Sequence, residues 1–340
     1  MNAAQGTLAI LWIGLTLYAL MAGADFGAGV WDLLAGNPRR GLPQRELIEE
    51  VIGPIWEANH VWLIFVVTLL WTTFPPVFAS VMSTLYIPLT LAAIGIIGRG
   101  AAFAFRKAVM ALWQQRLFGG VFALSSVLTP FFLGTVAGGI ASGRVPLGLA
   151  RGDVVTSWVN PTSFLGGILA IGTCAYLAAM YLCHDAVRLG RPELAEVFRH
   201  RAMITGAVVG VVVLAGIPVL YFDAPGLFHG LTHRALPVAI VSAVAGLASM
   251  GLLVVRRYVL VRVGAAVAVA AVMWGWAVAQ YPYMLPPDAY YARVAAPSTV
   301  LDPVLIVIAA GAVILFPSLG YLIALFQRRE PAARREDLPA

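Results

Sequence analysis

The sequence predicts an all-α integral membrane protein with nine transmembrane helices. Of its 340 residues, 61% are hydrophobic and only 11% are charged, whereas soluble domains carry about 25% charged residues. Nine apolar segments are long enough to cross a bilayer as a helix, which takes about 20 residues. Most of the basic residues lie between these segments, so the net charge of +6 reflects membrane topology and does not indicate a nucleic-acid partner.

The nine predicted spans are joined mostly by short connections. They cover residues 7–34, 51–74, 76–104, 117–141, 157–183, 202–222, 236–255, 258–281 and 301–326. A membrane barrel would instead show short stretches in which apolar and polar residues alternate. We expect one membrane domain over 1–340, with helices 1–4 in about 7–141, helices 5–8 in about 157–281, helix 9 in about 301–326 and a cytoplasmic tail at 327–340.

Three connections are predicted to be long loops. Residues 36–50 and 184–201 carry mixed charge, and residues 282–300 are rich in proline and tyrosine. Seventeen of the 22 arginines and lysines fall on the side that includes the C-terminal tail, and four fall on the opposite side. Because basic loops stay in the cytoplasm, this bias predicts an external N-terminus and a cytoplasmic C-terminus.

Ionisable residues inside predicted spans are the strongest functional signal of the sequence. Asp25, Glu57 and Arg99 lie in the first three spans, about 13, 9 and 8 Å from the cytoplasmic ends of those spans at 1.5 Å per residue. An ionisable group in hydrocarbon is costly and usually marks a proton, ion or ligand path. Consecutive helices with short connections tend to be neighbours, so we expect the three groups to meet.

Local spacing adds polar residues to this group. Asp32 follows Asp25 by seven residues and lies on the same helical stripe, and His60 follows Glu57 by three residues and can touch it. Trp56 lies next to Glu57, and the glycines around Asp25 allow a close approach of helices.

Two interpretations of these charges remain open from the residues alone. The first is a cytoplasmic proton inlet in which Asp25, Glu57 and His60 pass protons along a hydrated path. The second is a structural ion pair of Arg99 with Asp25 or Glu57. His60 itself could ligate haem, shuttle protons or serve as a hydrogen-bonding group, although a haem ligated on both faces also needs a second axial ligand at the same depth.

Several motifs resemble subunit II of the cytochrome bd quinol oxidases. The resemblance covers the whole chain in order, including the nine helices. It is carried by GADFGAG at 23–29, by PIWEANHVWLI at 54–64 with Trp56, Glu57, Asn59 and His60, by RGAAFAFR at 99–106, by Asn160-Pro161 and by PYMLP at 282–286.

The resemblance implies a fold, a partner and a role. The fold would be two four-helix bundles plus one peripheral helix in the bacterial cytoplasmic membrane. The chain would bind no haem and would pair with a haem-bearing subunit I, which holds haems b and d, or b only, oxidises quinol and reduces oxygen to water. Asp25 and Glu57 match acidic residues implicated in proton delivery. Independently of the resemblance, we expect supporting polar or ion-pair roles for Arg99, Asn59, Trp56 and Asp32.

Some features of the resemblance stay open. Certain family members hold a structural quinone, and a small single-helix subunit could join, but no motif assigns either of them here. The family often carries an acid where this chain has Ala22, and His60 stands where some relatives carry glutamine, so the imidazole could supply a titrating group instead.

Two other functions compete with the oxidase subunit at this stage. A proton-coupled secondary transporter would also need membrane carboxylates and interrupted helices, although the sequence shows no matched pair of broken helices in two halves. A purely structural scaffold would need the charges for assembly alone.

Overall fold

The computed structural model describes residues 2–36, 41–108 and 111–327, apart from the side chains of 52–58, 106–108, 112, 316, 319 and 322–327. These residues form twelve helices and one two-stranded hairpin, β1 (Tyr283–Leu285) and β2 (Ala289–Tyr290). The helices are α1 Ala3–Leu33, α2 Leu42–Thr73, α3 Pro75–Thr84, α4 Tyr86–Ala108, α5 Leu112–Ala141, α6 Pro161–Arg188, α7 Pro192–Asp223, α8 Pro225–Thr232, α9 Leu236–Val254, α10 Tyr258–Gln280, α11 Tyr291–Val294 and α12 Ser298–Gln327.

The predicted class, an all-α membrane protein, is confirmed. Within the described ranges, eight helices are long and apolar enough to cross a membrane. A ninth span results if residues Asn59–Thr73 of α2 and the short helix α3 are taken together, although their axes differ by 119°. Apart from the third predicted span, hydropathy therefore located the spans, because an apolar run of about 20 residues forms a helix that can cross the bilayer.

The predicted third span, 76–104, is wrong as one continuous helix. The chain leaves helical geometry at Phe74 (φ −136°, ψ 60°), forms α3, and breaks again at Leu85 before α4 begins. Pro75 and Pro76 occupy the first turn of α3, where a missing N–H costs no hydrogen bond. Hydropathy missed the break because it reports apolar character and not the direction of the helix axis.

Two of the predicted long loops are wrong as well. Residues 36–50 already belong to α2 from Leu42, and residues 184–201 are mostly helix, because α6 continues to Arg188 and α7 begins at Pro192. The charged residues here extend the helices beyond the apolar core and do not end them. In the third predicted loop, 282–300, the chain forms the β1–β2 hairpin and α11.

The chain contains two halves with the same order of elements. Helices α7, α8 and α9 begin at 192, 225 and 236, each 150 residues after α2, α3 and α4 begin at 42, 75 and 86. The backbone at Ala224, between α7 and α8, has φ −137° and ψ 60°, nearly the same as at Phe74. The two halves thus share the same break in the backbone, in each case at the end of a 32-residue helix.

The two halves meet where α6 packs against both α1 and α5. A Cβ atom on Gly27 would collide with the backbone carbonyl of Cys174, so only glycine allows this approach. Around the contact, Leu177, Ala178 and Met180 of α6 form the centre of the largest apolar core. The last helix, α12, touches α1 and α2 and leaves most of its surface exposed. This arrangement agrees with two four-helix bundles plus a peripheral helix.

Candidate functional site

An ion pair between Asp25 of α1 and Arg99 of α4 lies at the centre of the first half. Both side chains have no solvent exposure, and Nη2 of Arg99 lies 2.6 Å from Oδ1 of Asp25. The same Nη2 also donates to the backbone carbonyl of Asp25 at 2.8 Å. Each charge is compensated inside the protein, which is the condition under which buried charges are tolerated.

The guanidinium of Arg99 is enclosed on its other sides. Its Nη1 donates to Oγ of Ser126 on α5, and this hydroxyl donates to the carbonyl of Phe122 at 2.6 Å. The ring centroids of Phe122 and Phe26 lie 4.4 and 5.1 Å from Cζ of Arg99. These cation–π contacts hold the planar group between α1 and α5 without exposing it to lipid.

Glycine at position 29 makes room for the arginine. A Cβ atom built there would collide with Oγ of Ser126 and would lie 2.7 Å from Nη1 of Arg99. The glycine-rich stretch around Asp25 therefore has two separate uses. Gly27 admits the backbone of α6, and Gly29 admits the guanidinium together with its serine partner.

The second carboxylate oxygen of Asp25 contacts α2. Asn59, which is fully buried, directs its Nδ2 atom toward Oδ2 of Asp25 at 3.4 Å, a long hydrogen bond. Four helices, α1, α2, α4 and α5, thus contribute a polar side chain to one point. A carboxylate with a guanidinium on one oxygen and an amide on the other can hold charge deep in the bundle.

The structure brings several of the predicted residues together. Asp25, Arg99 and Asn59 are in contact, and Asp32 lies two turns from Asp25, where its Oδ1 is 3.5 Å from Nε of Arg45. His60 is half-buried and follows Asn59 on α2. Glu57 and Trp56 belong to α2, but their side chains lie outside the described residues, so the expected approach of Glu57 to Asp25 stays a prediction.

Sequence reasoning missed Ser126 as a hydrogen-bond partner of Arg99. Serine is common in membrane helices, where its hydroxyl bonds to the preceding turn as Ser126 does, so its presence alone carries no signal. Its spacing to the site could not have been read from the sequence either, because it lies on α5, outside the three spans that carry ionisable groups.

A second polar cluster joins the two halves at the opposite end of the bundle. Arg144, just after α5, donates from both terminal nitrogens to Asp223 at the end of α7, at 2.7 and 3.1 Å. The backbone N–H and hydroxyl of Thr162, in the first turn of α6, donate to the same carboxylate. A carboxylate at a helix N-terminus is also favoured by the helix dipole.

None of the histidines, cysteines and acids among the described side chains forms a group of three or more that could hold a metal ion.

The fold and the site together define a polytopic helical membrane protein that encloses a compensated acid–arginine pair. Residues 4–326 match the family model described as cytochrome bd terminal oxidase subunit II. The chain therefore belongs to this family, as its motifs indicated.

Curated relatives support the assignment. The chain is 30% identical over 176 residues to the cytochrome bd ubiquinol oxidase subunit 2 of Bacillus subtilis, a match that covers 52% of this chain and 50% of that protein. It is 23% identical over 344 residues to the putative cytochrome bd menaquinol oxidase subunit II of the same organism, covering 97% of both. The cytochrome bd-I ubiquinol oxidase subunit 2 of Escherichia coli is 27% identical over 218 residues, covering 61% of this chain and 55% of that protein.

A solved structure has the same fold. A chain of the bd oxidase from Geobacillus thermodenitrificans superposes with a TM-score of 0.74, covering 97% of this chain and 100% of that one, at 21% sequence identity. At this identity the likeness establishes the fold alone.

Proposed function

We propose that this chain is the haem-free subunit II of a cytochrome bd-type quinol:oxygen oxidoreductase. It assembles with a haem-bearing subunit I, which carries haems b and d, or b only, and reduces oxygen to water. This chain alone is not catalytic. Family membership over residues 4–326 supports the proposal, and the Bacillus and Escherichia relatives are named as subunits of such oxidases.

The proposed role of the chain is to admit protons from the cytoplasm through Asp25, Glu57 and His60. The observation that carries this role is the fully buried Asp25–Arg99 pair with Asn59 on the second carboxylate oxygen. Arg99 lies within hydrogen-bond distance of the Asp25 carboxylate and can compensate a negative charge there. A proton that arrives on Asp25 leaves the charge of Arg99 uncompensated, so the proton is passed on and not stored.

The proposal includes the surroundings of the chain. The chain forms one membrane domain in the bacterial cytoplasmic membrane, with the N-terminus outside and the tail 327–340 in the cytoplasm. Quinol and lipid contact the complex, and a structural quinone or a small single-helix subunit is compatible with it. The bias of seventeen to four in basic residues supports this orientation.

A scaffold function is the second candidate. Its support is the complete enclosure of Arg99, which fixes α1, α4 and α5 to each other whatever happens to protons. A transporter is less well supported. The matched breaks at Phe74 and Ala224 follow helices of 32 residues and so fall at helix ends, whereas transport sites lie at breaks near the middle of the membrane.

The replacement Glu57→Leu separates the proton inlet from the scaffold. In the purified two-subunit complex we expect quinol-driven oxygen consumption to fall about a hundredfold, the lower end of the contribution of a positioned proton-transfer group. Assembly should remain normal. Glu193→Leu, at the exposed start of α7, is the matched control and should leave turnover unchanged. Normal turnover in Glu57→Leu would refute the inlet.

A further inference from the structure

Three protonatable residues lie on one stripe of α1. Tyr18, Asp25 and Asp32 are spaced by seven residues, which places each about 10.5 Å from the next and on the same face of the helix. Their exposed fractions are 7%, 1% and 6%, so the stripe faces protein over its whole length. Ala22, between Tyr18 and Asp25, contributes only a methyl group to that face.

Three buried polar atoms near this stripe have no hydrogen-bond partner among the described residues. They are the hydroxyl of Tyr18, Oδ1 of Asn59 and Nε of Arg99. Leaving such atoms unpaired is costly, and in native proteins ordered water usually satisfies them. Nε can only donate, Oδ1 can only accept, and the hydroxyl can do both, which is the complement that a bridging water needs.

Two of these atoms lie beside the Asp25 carboxylate. Asn59 contacts Asp25 through its Nδ2 atom, and Arg99 contacts Asp25 through its Nη2 atom. Two of the three unpaired atoms, Oδ1 of Asn59 and Nε of Arg99, therefore belong to the amide and guanidinium groups that contact the carboxylate directly. Tyr18 lies two turns further along, against Trp62 and Cys174, where the surroundings become apolar.

We propose that internal water bridges Arg99, Asn59 and Tyr18, and that Tyr18 extends the proton path from Asp25 toward the middle of the membrane. In each transfer the tyrosine oxygen accepts a proton from water on the Asp25 side while its own proton passes to a second internal water on the opposite side, so its net protonation does not change. The inference rests on the proposed proton inlet and adds a residue and a direction to it.

The test compares two buried tyrosines in the intact two-subunit complex. Tyr18→Phe removes only the hydroxyl and keeps the ring. Tyr176→Phe is the matched control, because the Tyr176 hydroxyl is also buried but is bonded to Ser249 in the second half. Proton uptake after rapid mixing of the reduced complex with oxygen is followed with a pH-sensitive dye.

We expect Tyr18→Phe to slow proton uptake about tenfold. The effect is smaller than the typical 10²–10⁴ of a positioned acid or base, because water can partly replace one hydroxyl in a relay. Tyr176→Phe should match the unmodified complex. In infrared difference spectra, water bands that shift in H₂¹⁸O should change in Tyr18→Phe and persist in Tyr176→Phe.

The outcomes separate this inference from the proposed function. Normal turnover in Glu57→Leu overturns the inlet itself. Slow turnover in Glu57→Leu, with unaltered uptake and unaltered water bands in Tyr18→Phe, overturns the role of Tyr18 and leaves the inlet standing. Equal slowing in Tyr18→Phe and Tyr176→Phe would also overturn it, because the cause would then be general packing.

Discussion

The guanidinium of Arg99 has partners of four kinds: a carboxylate, a backbone carbonyl, a serine hydroxyl and two aromatic faces. Lysine could not reproduce this set, because an ammonium is not planar and cannot stack while it donates in two directions. The partners of the side chain therefore explain why an arginine occupies position 99. A pair of substitutions distinguishes a structural role of the ion pair from a role in proton transfer.

We expect Asp25→Leu alone to lower the free energy of unfolding of the complex by about 3–5 kcal/mol, because it leaves Arg99 charged and unpaired. The double replacement Asp25→Leu with Arg99→Leu should recover most of that loss, since two apolar side chains need no compensation. Thermal unfolding and oxygen consumption are measured on the same preparations. A proton role predicts that the double variant is stable and inactive.

The same cycle on Glu50 and Arg191 is the control. This pair is 3.0 Å apart and well exposed, so its coupling should not exceed about 1 kcal/mol. A stable Asp25→Leu/Arg99→Leu variant with normal turnover would mean that the buried pair serves assembly only.

At the scale of elements, the glycines of α1 decide how closely its neighbours approach. We expect Gly29→Ala to destabilise the fold by about 1–3 kcal/mol, because the new methyl group collides with Ser126 and crowds Arg99. The control is Gly119→Ala in α5, where no atom lies within 4 Å of the added carbon. There the better helix propensity of alanine should leave stability unchanged or higher. Equal thermal unfolding of the two variants would contradict the packing described here.

Most spans could be predicted from sequence because burial in hydrocarbon requires long apolar runs. The ends of the helices could not be predicted in this way, because a helix continues through charged residues, such as those between His184 and Arg188, after it leaves the bilayer. The break at Leu85 had no signal in hydropathy. In the site, depth and connectivity predicted the pairing of Arg99 with an acid, whereas Ser126 lies outside the spans that carried ionisable groups.

At the scale of the whole molecule, the cluster of Arg144, Asp223 and Thr162 joins the first half to the second far from Asp25. We expect Arg144→Met to lower the free energy of unfolding by about 1 kcal/mol, because a partly exposed bidentate pair is lost while Thr162 still holds Asp223. Amide hydrogen exchange near the end of α7 should become faster.

Arg151→Met, in the same loop and exposed, is the control and should leave that exchange unchanged. Identical exchange in the Arg144→Met and Arg151→Met variants would show that the cluster does not hold the halves together.

The duplicated order of helices has a consequence for the number of entry points. Position 249, which is 150 residues after Arg99, holds a serine bonded to Tyr176, so a neutral hydroxyl pair links α6 to α9 where an ion pair links α1 to α4. The order of helices is shared, but among the described side chains the fully buried ion pair lies in the first half. If hydrogen ions enter at Asp25, each copy of this subunit has one entry site, in the first helix bundle, and the second bundle serves as structural support.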